Sequence, residues 1–340
     1  MNTLRANKRQ KGFALAAVLW LLAGLTILAA MISRSTYVVA ERQASLLARA
    51  NAEQNFLSDS SEAIFWLATS KATENGYGWP GTYLKLDDRA YAGTGNSIIQ
   101  IQDIRGLLSL NRPKRDLLRQ LLISCGAKDA DTDSLLDALE DYTEPGNLKR
   151  INGAKSFEYA QAGLPQQRGA PLLSEPEIWQ IYGWAKYKDT FTSQHCLNDM
   201  TVWGDGLFNP GTATERNLIA YGVSAEQIAA LKKERGSSDD TLITTIQKGK
   251  ESNNNLFGLV SGRFPSKTMR ITLSSPDIHW VLRYELRLHT DAAGSPWDII
   301  SPRRLPASSV ITSKGRTDWP KIDQLSETDK NALSQPALPF

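Results

Sequence analysis

From Phe13 to Ile32 the chain runs 20 residues without a charge, FALAAVLWLLAGLTILAAMI. Coiled as a helix at about 1.5 Å per residue, this covers roughly 30 Å, the hydrocarbon thickness of a membrane. Arg5, Lys8, Arg9 and Lys11 precede the run and Arg34 closes it. Beyond Arg34 neither proline nor glycine appears until Gly76. Apolar residues then recur at roughly helical spacing: Val39, Leu46 and Leu47, Ala50, Leu57, Ile64, Leu67 and Ala68. Glu41, Arg42, Arg49, Glu53, Asp59 and Glu62 fall between them. The pattern predicts one long helix over 13–70, membrane-embedded over 13–32, with its far end packed on a globular head.

A secretory signal peptide has a shorter apolar core, about 7–15 residues, and ends in a small-x-small site that this run lacks. A plain signal anchor, oriented by its basic head, is a second reading.

After the helix, residues 71–97 are rich in Gly, Asn and Asp, which is turn chemistry. Ile98–Ile104 reads as a strand. From Arg105-Gly106 the character changes to helical pattern over 106–235. Leu117, Leu118, Leu121 and Leu122 form one helix face, and Asp133 or Ser134 is placed to cap a helix through Leu135, Leu136 and Leu139. Ser174–Glu177 and Ser224–Gln227 read as capping boxes, and Thr212 or Thr214 as the start of another helix. Residues 236–255 are a polar bridge. Strand patterns return at Met269–Leu273 and at Trp280–Leu288, where Trp280, Leu282, Tyr284, Leu286 and Leu288 share a face. From about Pro302 no period is sustained, apart from a short edge segment near Ser309–Thr312.

The lone strand at 98–104 needs later strands to be stable. The order therefore predicts an α+β fold: a long N-terminal helix packed on an antiparallel sheet, with a large helical domain inserted in the sheet. The boundaries are 1–12 for a leader, 13–70 for the helix, 71–105 and 256–301 for the sheet region, 106–255 for the insertion and 302–340 for an irregular tail.

Length and charge narrow the function. The 340 residues allow a sizeable core, and the net charge is +3. Four of the basic residues lie in 1–12, so removal of that leader leaves −1. No strongly basic face calls for nucleic acid as a main partner. The two cysteines, Cys125 and Cys196, fit no metal spacing and are candidates for a disulfide in an oxidising compartment. Trp79, Trp184 and Trp203 sit beside Gly in loop-like sequence and read as plugs at the core edge. The three histidines, His195, His279 and His289, show no ligand spacing, and neither a phosphate loop nor a nucleophile elbow is present. Catalysis is not expected.

A weak repeat runs at an offset near 100 residues. Leu108–Asn111 leads to Leu117 and Leu118, then Gly126 and a capped helix; Leu207–Asn209 leads to Leu218 and Ile219, then Gly222 and a capped helix. Each copy resembles a helix-hairpin-helix unit, a motif that often holds DNA backbone, here with Lys232, Lys233 and Arg235 on hand. Asp129, Asp131 and Asp133 in the first copy oppose phosphates, so a protein-binding or structural role is preferred. A membrane-anchored helix-hairpin-helix module is the alternative function.

The basic leader ending in Gly12, then Phe13 and the apolar run, resembles the N-terminus of type IV pilins and pseudopilins. The resemblance implies a prepilin peptidase that cuts between Gly12 and Phe13 and methylates Phe13. Most of that family carry Glu at the fifth mature position, where this chain has Ala17; the K-type minor pseudopilin of type II secretion lacks that Glu as a rule. Further segments resemble that type: Asp103–Gly106 with Leu108–Asn111, then Asp137–Glu140 through Glu144-Pro145, Asn152–Ala154 and Tyr159. Leu172–Glu177 through Gly183, and Phe208-Asn209 through Thr212-Ala213, continue the likeness. It implies a minor pseudopilin at the tip of the type II secretion pseudopilus, helping to initiate or cap assembly during protein export. The implied partners are the I- and J-type minor pseudopilins, the major pseudopilin, the peptidase and the inner membrane, crossed once with the head in the periplasm. The family also binds calcium in the acidic segment, which points to Asp137, Glu140, Asp141, Glu144 and Glu158. Tyr142 and Lys155 depart from the family pattern there, and a lysine in that shell opposes a cation.

Overall fold

Helix α1 runs without a break over Lys11–Thr69, 59 residues. In this computed structural model the described residues are 11–74, 76–79, 82–235, 264–289, 294–310 and 316–320. They divide between two units, 1–54 and 55–340. In the first, every residue from Phe13 to Leu47 is exposed, Phe13 and Trp20 by more than four-fifths. This helix is long and apolar enough to cross a membrane, as a single-pass anchor does.

The second unit starts with the last turns of α1. Leu57, expected on the packed face, is exposed, while Phe56, Ala63, Trp66 and Leu67 are buried. Asp59 shares that buried face. Its carboxylate accepts the Thr94 N–H at 2.8 Å and the Ser97 hydroxyl, pinning the turn that follows. The elements after α1 are β1 (Lys71–Thr73), β2 (Gly76–Trp79), β3 (Thr82–Leu84), β4 (Asp87–Ala92) and β5 (Ile98–Asp103). Then come β6 (Leu108–Ser109), α2 (Arg115–Ser124), α3 (Asp129–Thr143), α4 (Ser156–Gln161), α5 (Lys188–Ser193) and β7 (Met200–Thr201). They are followed by α6 (Glu215–Ala220), α7 (Ala225–Arg235), β8 (Thr268–Ser274), β9 (Trp280–Leu288) and β10 (Trp297–Pro306).

The main sheet is antiparallel with order β10-β9-β8-β5-β4. β5 and β8 are neighbours, in register from Ile98 opposite Ser274 to Asp103 opposite Met269. Everything from Ile104 to Lys267 is thus an excursion between two adjacent strands. β1–β3 form a second small sheet inside the segment expected to be turns. Those strands are too short for periodicity to reveal; burial of Tyr77, Trp79 and Leu84 holds them. The tail differs too. β10 continues to Pro306, past the expected start of irregular chain at 302, because it zips onto β9. Thr317 exchanges backbone bonds with Ala90 and Ala92. The polar bridge 236–255, the 255/256 boundary and residues 311–312 lie outside the described residues.

Within the excursion, α2–α3 and α6–α7 are two helical hairpins, and their first helices pack on each other. Leu118, Leu121, Leu122, Leu135, Leu139 and Leu218 are buried in one core around Trp184, whose indole N–H donates to Leu135 O at 2.9 Å. α3 begins six residues before Leu135, at Asp129, earlier than a cap at Asp133 or Ser134; Asp129 and Asp131 sit in its first turn, where acids suit the helix dipole. Thr214 caps α6, and Ser224 and Gln227 exchange both bonds of a capping box. Ser174 does not cap. Glu175–Gln180 is a tight 3₁₀ helix, and Glu175 turns inward instead.

Glu175 explains how the excursion is seated. Its carboxylate meets Arg270 of β8 at 2.7 Å and Arg303 of β10, and both guanidinium groups also reach Glu285 of β9 at 3.3 Å. Arg270 donates further to Met200 O at 2.9 Å. Arg283 donates to Asn198 Oδ1 at 2.7 Å, and burial, with Arg270 beside it, pulls its guanidinium down to about 10. Burial drives the Glu175 carboxyl up, but Arg270 and Arg303 more than reverse that and hold it below the usual range.

Truncating Glu175 takes the closer of two carboxylates from the buried Arg270 and leaves it Glu285 at 3.3 Å; breaking a buried pair costs about 3–5 kcal/mol in comparable cases. Glu175→Ala in the full-length protein in detergent is expected to lose that much in urea unfolding; unchanged stability would show the cluster to be inert.

Candidate functional site

Two regions carry the residues singled out by sequence. The first is the start of α1. Gly12 and Phe13 lie in its first turn, and Phe13 is 81% exposed. Ala17 follows one helical turn later, so the apolar stretch presents no carboxylate.

The second region is the acidic segment on α3, the loop after it and α4. The fold brings all five carboxylates to the same stretch, each facing a cation. Arg115 of α2 binds Asp137 at 2.8 Å and Glu140 at 3.0 Å. Arg150 reaches Glu140 at 2.7 Å, Asp141 at 2.9 Å and Glu144 at 2.7 Å. Lys149 binds Glu158 at 2.6 Å. Backbone N–H groups take the second oxygen of three of them: Asn152 donates to Asp137, Arg150 to Asp141 and Lys155 to Glu158. Arg150 holds the Glu144 carboxyl below its usual range. Lys149, with the Lys155 N–H, pulls Glu158 down to about 2.

Lys155 itself is buried. Its ammonium donates to Asp141 O at 2.6 Å and Glu144 O at 3.1 Å, the carbonyls at the end of α3. Tyr142 turns away from the carboxylates and donates to Glu177 Oε1 at 3.1 Å; burial, with Glu177 beside it, pushes the phenol up to about 12. Gly153 packs so closely that a Cβ there would lie 1.9 Å from Asp141 Oδ2. These residues do not fit a calcium ion: their oxygens face cations and N–H groups. Among the described residues no group of three or more His, Cys, Asp or Glu side chains is placed to hold a metal.

The motif residues act as structural pins. Asp103, fully buried, ends β5 and accepts from Asn209 at 3.2 Å, Thr212 at 3.0 Å and the Ser266 N–H at 3.0 Å. It thereby ties the exit of the excursion to its return. Burial pushes its carboxyl up, against the pull of the Ser266 and Arg105 N–H groups. Gly106 is required by proximity, since a Cβ would sit 2.4 Å from Thr212 O. Asn111 clasps Leu172 through both its N–H and C=O, at 2.7 and 2.9 Å, and donates to Val202 O. The pins at Asp59 and Glu175 were missed from sequence, because an acidic residue in a helical pattern reads as solvated.

Cys125 and Cys196 are joined. The bond links the end of α2 to the turn before β7, with Arg216 donating to Asp199 alongside. At the hairpins, Lys232 is paired with Glu215 at 2.6 Å, and Arg119 with Asp129 and Asp133. Of the histidines, His289 pairs with Asp298 at 2.7 Å. The acidic segment also exposes large apolar side chains: Leu148 at 93%, Ile151 at 95% and Phe157 at 75%.

No protein-family model matches the chain, and no curated protein matches it. Among solved structures, it is similar to a chain in the crystal structure of the GspK-GspI-GspJ complex from the enterotoxigenic Escherichia coli type 2 secretion system. The TM-score is 0.48 and the identity 14%, over 80% of this chain and 99% of that one.

Two outcomes are expected here. Glu158 has its pKa lowered from 4.5 to about 2, so its pairing stabilises the fold above pH 4.5 and is lost as pH falls towards 2. The stability difference between the wild type and Glu158→Gln should therefore be full at neutral pH and shrink through that window in denaturant melts. Replacing Cys125 and Cys196 by serine should cost about 2–5 kcal/mol in the same melts, as loss of a disulfide does in secreted domains.

Proposed function

We propose that this chain is a minor pseudopilin of the K type, a structural rather than catalytic subunit at the tip of a type II secretion pseudopilus. The observation that carries the reading is the joint one of an exposed apolar helix opening at Gly12-Phe13 and a sheet interrupted, between adjacent strands, by a helical domain. Such a helix has two uses: as an anchor in the inner membrane and as the packing core of a fibre. Ala17 supports a terminal position. A membrane-buried carboxylate is costly unless a neighbour pairs with it, and a subunit with no neighbour above has little use for one. The bulk of the excursion suits a cap, since it blocks addition of a further subunit.

The partners follow from this role: the I- and J-type minor pseudopilins, the major pseudopilin below them and the prepilin peptidase that cuts after Gly12. The head stands in the periplasm, where an oxidising environment keeps Cys125 and Cys196 joined.

The test is the N-terminus and mass of the protein from membranes of cells with and without a prepilin peptidase. A chain beginning at methylated Phe13, only where the peptidase is present, is expected. Met1 starts in both strains would overturn the reading. Crosslinking from mild extracts should then recover the I- and J-type subunits on the tip; recovery with the major subunit on both sides would remove the tip position.

A further inference from the structure

We propose that the Lys155 ammonium, with the Arg150 guanidinium, does in this chain the work of a bound calcium ion, so that the segment from Asp137 to Glu158 keeps its shape without a metal. A calcium site needs about six to eight oxygens converging on one point, several of them carboxylate. Such oxygens are present in kind here, but each of the five carboxylates is already engaged by a cation.

The argument begins at the end of α3. In a continuing helix the Asp141 carbonyl would receive the N–H four residues on, and that residue is Pro145, which has none. The carbonyl is left without a helical partner at the negative end of the helix dipole. The Lys155 ammonium supplies the missing donor at 2.6 Å and takes Glu144 O as well at 3.1 Å. It is only 6% exposed, so the charge is committed to this place. Main-chain carbonyls at a helix end, gathered round a buried positive charge, are what a calcium loop would present to its ion.

The carboxylates complete the substitution. Arg150 is the common partner of Glu140, Asp141 and Glu144, drawing together three acids from α3 and its C-terminal end as a shared ion does. Arg115 and Lys149 take Asp137 and Glu158. Five carboxylates thus stand against four cations, and a divalent ion entering among them would meet Arg150 and Lys155 at close range. Space tells the same story independently. Gly153 brings its backbone onto Asp141, with an added Cβ only 1.9 Å from Oδ2.

The consequence concerns the loop that carries Leu148 and Ile151. Its shape is set by side chains that never dissociate, so its exposed apolar residues are presented identically in calcium-rich and calcium-poor surroundings. This inference stands whether or not the chain joins a pseudopilus.

The test uses the full-length protein in detergent, with calcium chloride titrated against excess EGTA. Two readouts are followed: thermal unfolding, and trypsin cleavage after Lys149 and Arg150, with the cut sites read by mass spectrometry. The wild type should melt and cleave alike in both conditions. Lys155→Met, which keeps the stem but cannot donate, should be cut in the loop about tenfold faster, and calcium should not reverse this. Calcium that raises the melting point of the wild type, or slows its loop cleavage, would overturn the proposal. So would Lys155→Met cleaving in the loop at the wild-type rate. Should that variant be cut throughout the chain, the wild-type titration decides alone.

Discussion

A β-sheet has two faces, and in this head both are covered. The face of β8, β9 and β10 that carries Arg270, Arg283, Glu285 and Arg303 would be stable in water, yet Arg270 and Glu285 are almost fully buried. Taking such groups out of water is tolerable only where each charge finds a close, opposite and hydrogen-bonded partner. For Arg270 and Arg303 Glu175 is such a partner, beside Glu285, and it comes from the helical excursion, not from the sheet. The rest of the arrangement depends on this fit. The excursion can be large without wandering, because it is keyed to the sheet by a carboxylate between two guanidinium groups and by Asp103 at the seam.

The same principle recurs at smaller scale. Asp59 sits in the buried face of α1 and holds a turn; Lys155, just before α4, reaches the end of α3 and holds a loop. In each case a single charged side chain organises main-chain groups that lack partners of their own. Charge in this molecule does more positioning than solvating.

That is also why some of the fold was legible in sequence and some was not. α1, β5, β8 and β9 announce themselves by period and length, and β9 falls where the alternation over Trp280–Leu288 puts it. The hairpins are readable from glycine spacing and from the Ser224–Gln227 box. The short strands β1–β4 and the end of β10 are not: β1–β3 have only three or four residues, β4 opens on Asp87-Asp88-Arg89 with a shift in register, and the end of β10 is set by its pairing with β9. Ser174–Glu177 shows the limit most plainly. The pattern of a helix start is there, but Glu175 gains more from Arg270 and Arg303 than from a cap, and the segment tightens into a 3₁₀ turn. At the acidic segment Arg115 and Arg150, which decide what the acids do, carried no signal of their own.

The adjacency of β5 and β8 has a bearing on the order in which the chain acquires its shape. β5 is complete by Asp103, yet the strand it must pair with begins only at Thr268. Closing so long a loop by chance is slow, and unpaired strand edges invite association with other chains in the meantime. The remedy is built into the excursion. It has its own core and its own disulfide, and its two ends converge where Asp103 meets Ser266. Once it has condensed, the loop left to close between β5 and β8 is effectively shorter than the 164 residues from Ile104 to Lys267. The excursion is thus built to serve as a folding jig for the sheet that it interrupts.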